Sequence, residues 1–108
     1  MTRTLDGSDF VKKLKEDALE IQDQLIDFIR AGIKFKEIQD QYVILMGKKK
    51  YKVYHLFGHS IGLEVHESVE EIREGVVVTV EPGIYFPGKG GCRIEDMVLI
   101  KNGKARVL

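Results

Sequence analysis

The sequence predicts an α+β domain, with two N-terminal helices followed by an antiparallel sheet. Three features predict it. Apolar residues recur at three- and four-residue steps through the first part of the chain. Short β-branched runs dominate the second half, and Gly, Pro and Asn-Gly separate those runs where turns are needed.

The first helix is the clearest element. From Ser8 onward Val11, Leu14, Ala18, Ile21, Leu25 and Ile29 fall on one stripe, with Lys12, Lys13, Glu16, Asp23 and Asp27 on the opposite side. Ser8 or Asp9 can cap its start, and Gly32 can end it in a left-handed conformation. A second helix is predicted over about residues 34–46, turning Phe35, Ile38, Tyr42 and Leu45 inward, with Gly47 closing it.

The second half has the period of strands. Residues 51–57 alternate aromatic or β-branched residues with polar ones, as a half-buried strand does. Val76, Val77, Val78, Thr79 and Val80 read as a buried strand. Pro82 cannot donate to a ladder, so the chain must bend or bulge at Glu81-Pro82-Gly83. Residues 87–91 read as a loop and 93–101 as a further strand. Asn102-Gly103 predicts a hairpin turn leading into residues 105–108. No internal repeat or low-complexity segment interrupts this order.

A chain of 108 residues is expected to form a single domain with a modest core. At this size slightly more than ~60% of the unfolded surface is buried. The sequence is 44% hydrophobic and 31% charged, ordinary for a globular protein. Its 17 basic and 17 acidic residues cancel. A nucleic-acid or membrane surface would favour a basic excess, so neither partner is expected. The short run Lys48-Lys49-Lys50 reads as a solvated loop. No apolar stretch approaches the ~20 residues that span a bilayer. The first residues carry no apolar signal region, so a cytoplasmic location is expected. The single cysteine, Cys92, rules out an internal disulfide framework and reads as a packing residue.

The candidate chemistry lies in the β half. His55, His59 and His66 fall within twelve positions, and Glu81 and Glu95 interrupt apolar strand sequence. A carboxylate at such a place is costly to bury unless it is paired or bound to a cation. A lone histidine is usually structural and a lone strand glutamate usually points to water, so spacing alone leaves a metal site and a structural role both open.

The segments themselves resemble a known family. Gly58-His59-Ser60-Ile61-Gly62-Leu63-Glu64-Val65-His66-Glu67 is similar to the GHxxGLxVHE signature of the pita-bread metallopeptidases of the aminopeptidase P and prolidase branch. Glu81-Pro82-Gly83-Ile84-Tyr85 resembles that branch's EPGIY, and Arg93-Ile94-Glu95-Asp96 its RIED. They follow the family's order, and Thr2-Arg3-Thr4 resembles the TRT that opens its helical segment.

The resemblance implies a hydrolase acting on peptide bonds next to proline, with divalent ions such as manganese, cobalt or zinc. It implies His59, Glu81 and Glu95 as metal ligands. His55 and His66 would line the site and hold the substrate or stabilise the transition state, with Glu81 also placed to take a proton and Arg93 and Tyr85 at supporting or pocket positions. Oxygen donors with one imidazole suit such cations.

The sequence departs from the family pattern in four ways. The family's two ligand aspartates precede TRT, and the sequence starts at Met1 just after that place, so at most one ion per chain is expected. The segment after Glu67, residues 68–75, is shorter than the family's, which would clip one wall of the cleft. The glycine usual after the first histidine is absent at Leu56. Residues 1–108 would supply only the C-terminal half of the domain.

An exposed sheet face is then expected, and with it a homo-oligomer or a partner chain that supplies the other half. A peptidase-like binding module without catalysis is the alternative function, and a fragment of a longer peptidase is a further reading.

Overall fold

The computed structural model describes residues 9–61 and 71–108. Helix α1 spans Asp9–Phe28 and helix α2 Phe35–Lys48. Five strands follow: β1 (Val77–Val80), β2 (Gly83–Phe86), β3 (Gly90–Arg93), β4 (Asp96–Lys101) and β5 (Lys104–Val107). All pairing between them is antiparallel. Strands β1, β4 and β5 form one sheet in the order β1-β4-β5, and β2 and β3 form a separate hairpin.

The predicted helices are both present, and their predicted apolar faces make the core. Leu14, Ala18, Ile21, Leu25 and Ile29 are buried, as are Phe35, Ile38, Tyr42 and Leu45. They pack against Val78, Val80, Ile84, Val98 and Ile100 from the strands. Helix α1 is central, touching α2 and strands β1, β2, β3 and β5. Helix α2 begins where the Glu37 carboxylate accepts from the Lys34 N–H at 2.9 Å, so one otherwise free helix-start donor is paired. It runs one residue past Gly47, whereas α1 ends before Gly32. That glycine lies in the following turn at φ +96°. Ser8 lies outside the described residues.

The strands differ from the prediction in three places. Residues 51–56 form no ladder, although their side chains alternate as predicted: Tyr51, Val53 and His55 are half-buried and Lys52, Tyr54 and Leu56 exposed. Pairing starts where the strand was expected to end, because residues 57–61 run beside β1. The N–H groups of Glu81, Thr79 and Ile61 bond the carbonyls of Phe57, His59 and Val77 at 2.7, 2.8 and 3.0 Å.

Gly90 and Gly91 belong to β3 and not to the loop. A Cβ on Gly91 would come within 2.8 Å of the Ile84 carbonyl oxygen, so the close approach of β2 requires glycine. Finally, the strand predicted over 93–101 is broken at Ile94 and Glu95. Pro82 lies opposite and has no N–H to offer, so between the two ladders only its carbonyl pairs, accepting from the Ile94 N–H at 3.2 Å. The predicted Asn102-Gly103 turn is present, with both residues at positive φ, 56° and 79°. Both Glu74 carboxylate oxygens accept from its N–H groups.

Candidate functional site

The candidate residues of β1 and its neighbouring segment are assembled by one close backbone approach. Gly58 crosses so near β1 that a Cβ there would sit 1.9 Å from the Thr79 carbonyl oxygen. The approach brings Thr79 under His59. The Thr79 hydroxyl accepts from the His59 N–H at 2.9 Å and donates to Glu81 Oε2 at 2.8 Å. Its other possible acceptor, the His59 carbonyl, is farther at 3.3 Å. Thr79 is 2% exposed, so this hydroxyl works in a dry place. The next residues are held from below. Gln22 on α1 donates to the Val80 carbonyl at 3.0 Å, and Tyr42 on α2 accepts the Gly83 N–H at 3.1 Å. Gln39 on α2 accepts the Phe57 N–H at 2.8 Å. Glu81 is therefore fixed from both helices and from the neighbouring segment.

The pair this produces is His59 Nε2 and Glu81 Oε2, 3.5 Å apart. His59 Nδ1 is 3.2 Å from the Ser60 carbonyl. A carbonyl only accepts, so Nδ1 carries a proton and Nε2 is the ring nitrogen that faces Glu81. An imidazole nitrogen and a carboxylate oxygen at that distance can share a cation, and the Nδ1 bond to a carbonyl is how metal-ligating imidazoles are commonly oriented. The donor chemistry thus fits two positions of a divalent ion.

Glu95 is placed differently. The β1–β4 register ends at Val80 opposite Asp96, and its next step sets Glu81 opposite Glu95. The Glu95 side chain is exposed. Among the described residues no group of three His, Cys, Asp or Glu side chains gathers into a metal-holding cluster.

His55 and Arg93 join a second cluster around Tyr85. His55 Nδ1 bonds the Leu56 carbonyl at 2.8 Å, which leaves Nε2 to accept from the Tyr85 hydroxyl at 2.9 Å. Tyr54 packs edge-on against Tyr85 at 5.5 Å. Burial pushes the Tyr85 phenol up, and the nearby Arg93 guanidinium works against that rise. Gly83 makes room for the cluster, since a Cβ there would meet the Tyr85 hydroxyl oxygen at 2.3 Å and His55 Nε2 at 2.6 Å. An open groove along the β2–β3 hairpin, lined by Tyr85, Phe86, Pro87 and Arg93, begins at this cluster. His66 lies outside the described residues.

Sequence reasoning placed Tyr42 in the core and Thr79 in a buried strand but missed their hydrogen-bonding roles, and it missed Gln22 and Gln39 altogether. Thr79 had one available signal: it is the only polar residue in the valine run, two residues before Glu81, and so on the same face. Cys92 is buried as predicted, and burial raises its thiol pKa.

Comparison with known proteins agrees with this architecture. Residues 1–102 match metallopeptidase family M24. The chain is 42% identical over 106 residues to the Xaa-Pro dipeptidase of Pyrococcus horikoshii, covering 89% of this chain and 30% of that protein. It superposes on the prolidase from Pyrococcus furiosus with a TM-score of 0.83 at 33% identity, over 96% of this chain and 34% of that one. For the X-Pro aminopeptidase from Thermotoga maritima the TM-score is 0.82 at 37% identity, over 93% and 31%. The chain spans about a third of the length of these relatives. Its two helices and antiparallel strands are one half of a pita-bread fold, and the chain belongs to metallopeptidase family M24.

Proposed function

We propose that this chain carries the metal-facing, C-terminal half of an Xaa-Pro peptidase site, which hydrolyses bonds next to proline when the site is complete. The observation that carries this reading is the His59–Glu81 pair, an imidazole nitrogen and a carboxylate oxygen 3.5 Å apart on a backbone fixed by Thr79. In this reading His59 and Glu81 hold one divalent ion per chain, manganese, cobalt or zinc. Glu95 turns inward from its place opposite Glu81 to complete three ligands. A bound ion of this kind supplies Lewis-acid polarisation of the scissile carbonyl.

The chain's own residues do the rest. Glu81 can hold a proton between steps. The cluster of His55, Tyr85 and Arg93, with His66, positions the peptide. The relatives that are named Xaa-Pro dipeptidase, prolidase and X-Pro aminopeptidase support the choice of substrate class. No helix among the described residues is long and apolar enough to cross a membrane, and the reading places the protein in the cytoplasm. A second copy or a partner chain completes the cleft.

The test is calorimetric titration of the purified chain with manganese, cobalt and zinc, beside Glu95→Ala and His59→Ala, followed by Xaa-Pro hydrolysis assays. The expected result is one ion per chain, weakened in both variants. Absence of binding with all three metals would retire this reading in favour of a binding module that keeps the peptidase fold without its chemistry.

A further inference from the structure

The tip of the β4–β5 hairpin is held from two sides. Lys101 pairs with Lys104, so Asn102 and Gly103 are the whole loop, and positive φ at both makes it a type I′ turn. On one side Gly75 donates to the Ile100 carbonyl at 2.7 Å, and Ile100 donates back to the Val76 carbonyl at 3.0 Å. Gly75 turns at φ +86°, which leaves the Glu74 carboxylate against the hairpin tip. One Glu74 oxygen accepts from the Asn102 N–H and the other from the Gly103 N–H, the latter at 3.0 Å. On the other side the Gly103 carbonyl accepts from the Ala31 N–H at 3.1 Å, in the link between α1 and α2. Gly103 is thus fixed at both its N–H and its carbonyl.

That restraint falls on the only asparagine of the sequence, and it is followed by glycine. An asparagine in this setting can react with its own backbone, because the next residue has no Cβ to hinder the approach. The Gly103 nitrogen attacks Cγ of Asn102. The new N–Cγ bond closes a succinimide ring and the bond from Cγ to the side-chain nitrogen breaks. That nitrogen departs as ammonia, taking up through water the proton that Gly103 gives up. Water then opens the ring at either carbonyl and leaves an aspartate or a β-linked isoaspartate. Asn102 is exposed, so water has access to it.

Two features of the folded tip oppose the first step. The first loop residue of a type I′ turn has ψ near about +30°, which puts the next nitrogen almost opposite Cβ, so ψ must rotate by roughly half a turn before attack. That rotation breaks the Gly103 bond to Glu74. The carboxylate also resists loss of the Gly103 proton, since the amide anion would lie against a like charge.

We propose that Asn102 is a modification site, deamidated through a succinimide with Gly103, and that Glu74 is the guard that holds the folded chain back from the reaction. The β-linked product carries an extra carbon in the backbone, for which the two-residue turn has no place. The inference stands apart from the peptidase reading, because it needs only water and neither metal nor turnover.

Incubation of the purified chain at neutral pH, native and in urea, tests it. Intact-mass spectrometry reads the exchange of amide for acid, and peptide mapping places it at Asn102 and separates the two products. The native chain should react at least about tenfold more slowly than the unfolded one, and Glu74→Ala should speed the native chain by about tenfold, as the loss of a charged hydrogen bond would. Glu74→Gln keeps an acceptor without the charge and should fall between. Glu74 is exposed, so urea midpoints should stay close to that of the wild type. A native rate equal to the unfolded one would overturn the proposal, as would wild-type rates in both Glu74 variants. A rise that only follows a lowered midpoint would overturn the role of Glu74. Amide exchange at Gly103, read by NMR on the wild-type chain, decides the matter without any variant: protection supports the guard, and exchange at the unfolded rate removes it.

Discussion

Asp17 shows how a single residue sets a stability term that a hydropathy pattern hides. It lies on the buried stripe of α1 at 4% exposure, and its carboxylate accepts from the Tyr51 hydroxyl at 2.5 Å and from Lys13 at 3.1 Å, with Lys49 at 3.6 Å. Burial pushes its pKa up, but the bonds from Tyr51 and Lys13 and the charges of Lys49 and Lys13 outweigh it, and the net shift is downward. Its contribution is therefore present above the unfolded carboxyl range and fades as pH falls through the folded value. Tyr51 shows the opposite sign. Burial and then Asp17 push its phenol to about 12, so its share is full below pH 10 and is lost toward pH 12. Asp17→Asn should lower stability at pH 7 by about 1–3 kcal/mol, the usual cost of weakening a buried charged hydrogen bond. The gap should narrow at pH 3, below the unfolded carboxyl value, where the unfolded chain takes up a proton that the native carboxylate resists. Urea unfolding at the two pH values checks this, and an equal gap at both would remove the carboxylate from the explanation. Asp17 and Gln22 were readable in principle. They sit at the three- and four-residue steps between Leu14, Ala18, Ile21 and Leu25, and polar residues inside an apolar stripe need partners. Those partners, Tyr51 and the Val80 carbonyl, are 34 and 58 residues away, which periodicity cannot reveal.

Between elements, the important contacts tie α2 and residues 57–61 to the strands beside the site. Tyr42 is fully buried, and its hydroxyl accepts the Gly83 N–H one residue past Pro82. Burial raises its pKa, so it stays a neutral phenol at physiological pH. Tyr42→Phe leaves that N–H buried without a partner. A loss of about 1–3 kcal/mol is expected, together with faster amide exchange at Gly83, measurable by NMR. Unchanged exchange at Gly83 would mean the bond does not hold the Glu81-Pro82-Gly83 corner. Thr79 makes a parallel case on the other side of Glu81. Thr79→Ser keeps the hydroxyl, while Thr79→Val keeps the shape and strands the His59 N–H. Stability should drop by about 1–2 kcal/mol in Val and much less in Ser, read from denaturant midpoints at constant slope. The hairpin tip and both helices were plain in the sequence, because Asn-Gly and the 3.6-residue period are local signals. The break at Ile94 and Glu95 was not, since it is imposed by Pro82, in the corner between β1 and β2. Gly91 misled for a related reason: its glycine answers a steric demand from Ile84 across the hairpin and not a turn.

For the whole molecule, α1 ties both β units together. It packs on β1 and β5 of the sheet, on β2 and β3 of the hairpin, and on α2. This is why two separate ladders share one core. The pairing of residues 57–61 with β1, by contrast, is what brings His59 beside Glu81. The order of the motifs around His59, Glu81 and Glu95 was readable, but their geometry rests on Gly58 and Thr79 and on partners contributed by the helices. A body with one shared core should unfold as a unit. Ile21 is fully buried at the middle of α1 and has no polar role. Ile21→Ala should cost about 2–5 kcal/mol through lost burial and a cavity. In a domain of this size each kcal/mol lowers Tm by about 4–8 °C. The decisive observation is coincidence, measured at one protein concentration because a dimer is stabilised by mass action. The helical signal in far-ultraviolet circular dichroism and the tyrosine signal in the near-ultraviolet should shift together by the same amount. If the helical transition moved down while the tyrosines, three of which lie at Tyr51, Tyr54 and Tyr85 against the strands and the segment before them, kept their wild-type midpoint, α1 would not be the element that unites the domain. The sheet and its site would then form a cooperative unit of their own.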